Sequence, residues 1–275
     1  MTPRKGERPP VPEALPVPVV DVHTHLDACG AKTEADVAAM LDRAESAGVG
    51  SVITVADDLD SARWVARAAT WDDRVYAAVA LHPTRTSTFT EDDQATLEKL
   101  AAEPRVVAVG ETGLDYYWDH APPEAQHVAF RWHIDLAKRA GKPLMIHDRD
   151  AHEDILRILG EEGAPPTVVF HCFSGDEDFA RRCVDAGYVL SFAGPVTFRN
   201  AAALRAAAAI VPYGQLLVET DAPFLTPHPF RGRPNEPYCA AYTVRELAAL
   251  RGVEVAECAE SVAATARRVF RLDQV

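Results

Sequence analysis

His23 and His25 stand one residue apart at the end of the apolar run that begins at Val19, in the stretch VVDVHTHLD. On an extended strand this spacing turns both imidazoles to one face, about 7 Å apart along the chain. There, two neutral nitrogens can hold one divalent cation. Taken alone, the pair fits two hydrogen-bonded histidines as well as a metal site. Five further residues recur in the same setting. His82 ends VYAAVALHP, Glu111 lies in VVAVGETGLD, His147 in KPLMIHDRD, His171 in TVVFHCFSG and Asp221 in LLVETDAPFL. Each stands at the C-terminal end of an apolar run. Imidazoles joined by carboxylates suit zinc or manganese, and magnesium less comfortably.

A catalytic zinc keeps three or four protein ligands and an open position. His23, His25, Glu111, His147, His171 and Asp221 are too many for one such ion and suit two. The expected division gives His23, His25 and Asp221 to one ion and His147 and His171 to the other, with Glu111 between them. A bridged pair about 3.5–4 Å apart is suited to hydrolysis at phosphorus. Asp21 shares the strand parity of His23 and should face inward, where a buried carboxylate needs a partner. It either orients a ligand imidazole or makes an ordinary hydrogen bond in the core, and both readings stay open.

The elements that must position these groups alternate strictly. The runs above, with GVGSVITVAD and YVLSFAGPVTF, make eight candidate strands. Several are continuously apolar, as strands buried on both faces are. Between them lie helical segments with recognisable ends: Thr33 and Thr90 can cap two of them, and Gly48, Gly141 and Gly187 can stop three. Strand–helix alternation implies right-handed crossovers and a parallel sheet. An open doubly wound sheet would want a glycine-rich phosphate loop after the first strand, where this chain has histidines. The expected fold is therefore α/β: a single-domain (β/α)8 TIM barrel over residues 19–275. The residues named above would share its C-terminal rim, where barrel enzymes place their active sites.

Residues 1–18 are proline-rich, and the expectation is an extended, poorly ordered tail that packs little. The tail has no apolar stretch of the secretory type, and no run in the chain approaches the roughly 20 apolar residues that span a bilayer. A cytoplasmic location without a membrane partner is expected. Cys29, Cys172, Cys183, Cys239 and Cys258 are scattered and form no C-x-x-C pair, which argues against disulfides or a zinc knuckle. The formal net charge of −13 argues against a protein that coats long stretches of nucleic acid. It leaves room for one that grips one or two phosphates.

The ordered motifs DVHTHLD, LHP, GETGLDYY, PLMIHDRDA, FHCFSG and LLVETDAPFLTP, followed by GRPNEP, resemble those of the TatD-related metal-dependent deoxyribonucleases of the amidohydrolase-like superfamily. The resemblance runs from about Val19 to the C-terminus. It implies a TIM barrel, a divalent-metal centre and phosphodiester hydrolysis of DNA, often as a 3′-to-5′ exonuclease. By motif it implies His23 and His25 as paired ligands, Glu111 as the bridging carboxylate, and His147, His171 and Asp221 as the remaining ligands. His82 would lie beside the substrate phosphate, and Arg231, Arg233 and Asn235 in a loop that shapes the substrate pocket. Glu111 and Asp221 are the expected catalytic residues, with Asp221 accepting or orienting the proton of the attacking water. Without a basic stripe for duplex binding, single strands or ends are the expected DNA partner. The alternative is a two-metal amidohydrolase acting on an ester, lactone or amide. Many such relatives bridge their ions with a carboxylated lysine, and here no lysine ends a strand.

Overall fold

The computed structural model describes residues 6–272. Its strands are β1 (Val19–Thr24), β2 (Val49–Val55), β3 (Val75–Val79), β4 (Val106–Asp115), β5 (Leu144–Arg149), β6 (Val168–Phe170), β7 (Val189–Phe192) and β8 (Leu216–Val218). The helices are α1 (Glu34–Ser46), α2 (Leu59–Ala68), α3 (Glu91–Ala101), α4 (Pro123–Ala140), α5 (His152–Glu162), α6 (Glu177–Asp185), α7 (Ala202–Ile210), α8 (Ala240–Arg251) and α9 (Val255–Phe270). Each strand pairs in parallel with the next in sequence order. The ring closes through a parallel bridge between Thr24 and Ala222. Two backbone bonds complete the seam: His25 N–H to the Ala222 carbonyl (2.8 Å) and Asp221 N–H to the His23 carbonyl (2.9 Å). The fold is the expected TIM barrel.

Its core has two layers. One apolar cluster draws residues from all eight strands, among them Val20, Ile53, Ala78, Met145, Val169 and Leu217, and includes Phe270 of α9. A larger cluster joins the strands to the helices that surround them. Strands held between two apolar layers need side chains suited to both, which explains their nearly unbroken Val, Leu and Ile runs.

Local chemistry sets the helix ends. The Thr33 hydroxyl accepts from Asp36 N–H while the Asp36 carboxylate returns to Thr33 N–H, and Thr90 and Asp93 repeat the exchange. Gly141 closes α4 in the left-handed conformation, φ 63°. Among the described residues no helix is long and apolar enough to cross a membrane.

The described part of the N-terminal segment is extended but docked, a correction to the expectation that it packs little. Arg8 and Arg43 both pair with the buried Glu236 carboxylate, at 2.6 and 2.8 Å. The hydroxyls of Tyr238 and Tyr242 donate to the carbonyls of Pro9 and Pro10. Leu15 is buried, and its N–H donates to the Ala47 carbonyl. Extended proline-rich backbone exposes its carbonyls, and those of Pro9 and Pro10 meet tyrosine donors just before α8 and in its first turn. Residues 1–5 of the expected tail lie outside the described residues.

Candidate metal centre at the barrel mouth

The closing seam is also where the polar residues gather. Because the backbones of His23 and Asp221 are bonded to each other, β1 and β8 bring their side chains to one spot. Opposite them β4 carries Glu111, and β5 runs so close that a Cβ at Gly113 (φ 141°) would lie 2.1 Å from the His147 carbonyl oxygen. Glycine is required there for the two strands to meet, and the approach places His147 beside Glu111.

Three groups of side chains have ligand atoms within 4.8 Å of one another: His23, His25 and Asp221; His23, Glu111 and His171; and His82, Glu111 and His147. His23 Nε2 faces His25 Nε2 at 3.3 Å. Glu111 Oε1 lies 3.6 and 3.5 Å from these nitrogens, and Asp221 Oδ1 lies 3.9 and 3.4 Å away. On the other side Glu111 Oε2 meets His171 Nε2 at 2.8 Å and His147 Nδ1 at 3.2 Å. Two ligand atoms about 2.1 Å from a tetrahedral ion are about 3.4 Å apart. The contacts around His23 and His25 match that separation and are longer than good hydrogen bonds.

The outward-facing nitrogens show why the inner ones are available. His25 Nδ1 lies 2.9 Å from the Val55 carbonyl, which accepts only, so that nitrogen carries the proton and Nε2 the lone pair. His147 Nε2 is 2.9 Å from Asp115 Oδ2, and His171 Nδ1 is 3.3 Å from Glu219 Oε1. His23 Nδ1 faces the Met145 sulfur, a weak acceptor, at 3.1 Å. With the outer nitrogens protonated and the rings neutral, each imidazole can direct a lone pair inward. Protein metal sites hold their histidines in this manner. Against the effect of burial, the surrounding carboxylates raise the imidazoles of His147 and His171 and push His25 up to about 9, so a cation bound there would displace protons. The donor set fits divalent cations.

Electrostatics agree with this arrangement. Burial would push the Glu111 carboxyl up, but His171, His23 and His82 outweigh it and hold it well below the usual range. Asp221 is half-buried; the cost of its burial is outweighed by its contact with His25 and by the imidazoles of His23 and His171, which hold its carboxyl below the usual range. His82 is pushed down to about 3 by burial and by His147. Its Nδ1 contacts the Thr84 hydroxyl at 2.7 Å and its Nε2 lies 3.3 Å from His147 Nδ1. His82 thus enters the cluster itself.

Asp115 and Glu219 are polar members that the sequence analysis did not assign. Each shares strand parity with an assigned carboxylate, four residues after Glu111 and two before Asp221, and that is the signal that could have found them. Asp21 takes the core role left open above: its carboxylate accepts from the Thr220 N–H (2.8 Å) and hydroxyl (2.5 Å), tying β1 to β8. Burial raises its carboxyl well above the usual range.

The loop after β8 divides. Asn235 is buried and its amide donates to the carbonyls of Thr220 and Phe224, so it anchors the base of the loop and does not face an opening. That corrects its expected place in the substrate pocket. Arg231 and Arg233 are exposed and lie over the rings of Phe198 and Phe230, 4.8 and 5.4 Å from their centroids, and neither contact involves the histidine cluster.

Fold and site together define a (β/α)8 barrel with a histidine–carboxylate centre at the C-terminal mouth. Comparison with known proteins narrows this class. The chain belongs to the TatD related DNase family, whose model matches residues 20–271. A Mycobacterium tuberculosis protein named as an uncharacterized metal-dependent hydrolase, TatD, is 59% identical over 259 residues, covering 92% of this chain and 98% of its own. An Erwinia tasmaniensis relative named 3′-5′ ssDNA/RNA exonuclease TatD is 35% identical over 241 residues, covering 85% and 93%. The crystal structure of YjjV, a TatD homologue from Escherichia coli, superposes with a TM-score of 0.86 at 32% identity, covering 92% and 98%.

Proposed function

We propose that this protein is a divalent-metal-dependent hydrolase that cleaves phosphodiester bonds of DNA, working from the 3′ end of single strands or exposed ends. The observation that carries the reading is the convergence of donors: His23, His25, His147 and His171 each turn one ring nitrogen toward Glu111 or Asp221 while the other meets a partner outside the cluster. A purely structural histidine cluster would not need four ring nitrogens converging on two carboxylates. The names of the Mycobacterium and Erwinia relatives support metal dependence and single-stranded nucleic acid respectively.

In this reading His23, His25 and Asp221 hold one ion, His147 and His171 the second, and Glu111 is shared. The ions, when bound, supply charge that polarises a phosphate and acidifies water. The chain's own residues do the rest. Asp221 stays ionised at neutral pH, and its Oδ2 takes the proton of the attacking water. His82, neutral and oriented by Thr84, meets a non-bridging phosphate oxygen through its Nε2. Arg231 and Arg233 guide the polyanion to the mouth. Among the described residues these two, with Arg199 in the loop after β7 and Arg149 at the end of β5, form no ion pair with a carboxylate. In a chain of net charge −13 they remain available to phosphate.

The experiment is a metal-by-substrate matrix. Metal-stripped protein is supplied with magnesium, manganese or zinc and offered end-labelled single- and double-stranded oligonucleotides beside an ester and lactone panel. A ladder shortening from the 3′ end of the single strand is expected. Faster turnover of an ester or lactone, with no cleavage of DNA, would replace this reading with the amidohydrolase alternative.

A further inference from the structure

Asp115 faces two ways. Its Oδ2 steadies His147, while its Oδ1 accepts from the backbone N–H groups of Tyr117 (3.0 Å) and Trp118 (2.9 Å). One carboxylate therefore locks the loop after β4 to the metal-site histidine. That loop is unusual. Of the five large apolar side chains exposed among the described residues, three are consecutive here: Tyr116, Tyr117 and Trp118. The Tyr116 hydroxyl is engaged by His127 and Asp154. Tyr117 and Trp118 stand edge to face with centroids 4.9 Å apart, and Trp118 stacks on His120 at 5.6 Å.

A cation completes the patch. Arg149 lies two residues beyond His147 on β5, so it shares that residue's face of the strand. Its guanidinium sits 4.3 Å from the Tyr117 ring centroid. Asp148 and Asp150 flank it in sequence, yet among the described residues it forms no ion pair. Asp148 is turned instead toward His152.

We propose that Tyr117 and Trp118 form a stacking corner for one unpaired nucleobase beside the cleavage point, one ring lying against the face of the base and the other, at right angles, against its edge, and that Arg149 binds the adjoining backbone phosphate. The proposal rests on the phosphodiesterase reading and deepens it by naming what selects single strands. Exposed aromatic faces are costly in water and mark contact surfaces. Here the patch is continuous with the centre through Asp115. Its one cation lacks a carboxylate partner, which selects an anion carrying a flat ring over another acidic protein surface. A base within a duplex has both faces covered by its neighbours and cannot stack there. Base–aromatic stacking is sequence-tolerant, and loss of one such contact is worth about tenfold or more in affinity. Guanidinium suits the second role because it can lie on a ring and hold phosphate in plane.

The test uses the full chain loaded with manganese and two single-stranded oligonucleotides, one natural and one abasic at its last two 3′ positions. The wild type is expected to favour the natural strand by about tenfold or more in kcat/KM. The Y117A/W118A variant should lose most of that preference, and the conservative Y117F/W118F variant should keep it. Arg149→Leu should raise KM for the natural strand and flatten its salt dependence. Equal turnover of both strands by the wild type, or a preference that survives Y117A/W118A, overturns the stacking corner while leaving the phosphodiesterase reading intact. Failure of the wild type to cleave either strand removes both. A concentration-dependent dimer that Y117A/W118A abolishes, with strand preference unchanged, would assign the patch to a second copy of the chain and overturn the proposal.

Discussion

At the scale of single residues, the outer partners of the mouth histidines are as informative as the histidines themselves. Asp115 and Glu219 hold the outer nitrogens of His147 and His171 and so orient their rings. Removing such partners from a metal site costs about 10–100-fold in metal affinity. Asp115→Asn and Glu219→Gln are expected to weaken manganese binding by that factor in calorimetric titration while leaving the circular dichroism spectrum unchanged. Glu111→Ala and Asp221→Asn should reduce turnover to near background even at saturating metal; wild-type rates in either would remove it from the catalytic machinery. Much of this cluster is legible in sequence, because histidines and acids ending apolar runs have no other reason to choose that end. Glu219 is legible only in part: its parity with Asp221 points it to the same face, while its contacts with His171 and Cys172 reveal its task. Asn235 misleads for a related reason: its place in a polar loop suggests solvent, but its buried amide is spent on backbone carbonyls.

Among the elements, α4 bears on the site through a residue far from it in sequence. Buried His133 accepts from the Leu81 N–H at Nε2 (3.2 Å) and contacts the Ala129 carbonyl through Nδ1 (2.7 Å), which holds the backbone just ahead of His82. Burial lowers its imidazole to about 4. In the unfolded chain it titrates near its ordinary 6.5, so the unfolded state takes up a proton first as pH falls. Stability from this group is therefore complete above about pH 6.5 and lost between 6.5 and 4. Urea titrations of wild type and His133→Gln should show a gap that shrinks by up to about 3 kcal/mol across that window. A gap independent of pH would contradict the neutral imidazole. Strand contacts are just as demanding: Gly113→Ala meets the His147 carbonyl and should cost at least about 2 kcal/mol in the same titration. The helices with threonine caps are readable from sequence. By contrast α2, capped by Asp58, and α7, which has no side-chain cap, carry no comparable threonine–acid signature and are not legible from their ends.

For the whole molecule, alternation of strand and helix makes the barrel legible, whereas the docking of its N-terminal segment is not. Prolines announce an extended backbone but not the surface on which it lies. That surface is built by Glu236, Tyr238 and Tyr242, together with the close approach at Gly48, where a Cβ would lie 2.6 Å from the Leu15 nitrogen. Deleting residues 1–15 uncovers Leu15's pocket and leaves Glu236 with Arg43 alone. Leucine burial is worth about 2 kcal/mol, and the truncated protein is expected to melt about 5 °C or more lower by calorimetry. An unchanged melting temperature would show that the segment contributes nothing.

The central claim, that distant strand ends build a paired-ion centre, is tested most directly by anomalous diffraction from crystals soaked in manganese. Two peaks are expected at the barrel mouth, one among His23, His25 and Asp221 and one beside His147 and His171, with Glu111 contacting both. A mouth without anomalous density at saturating manganese, or with the ions bound elsewhere on the protein, would contradict the account.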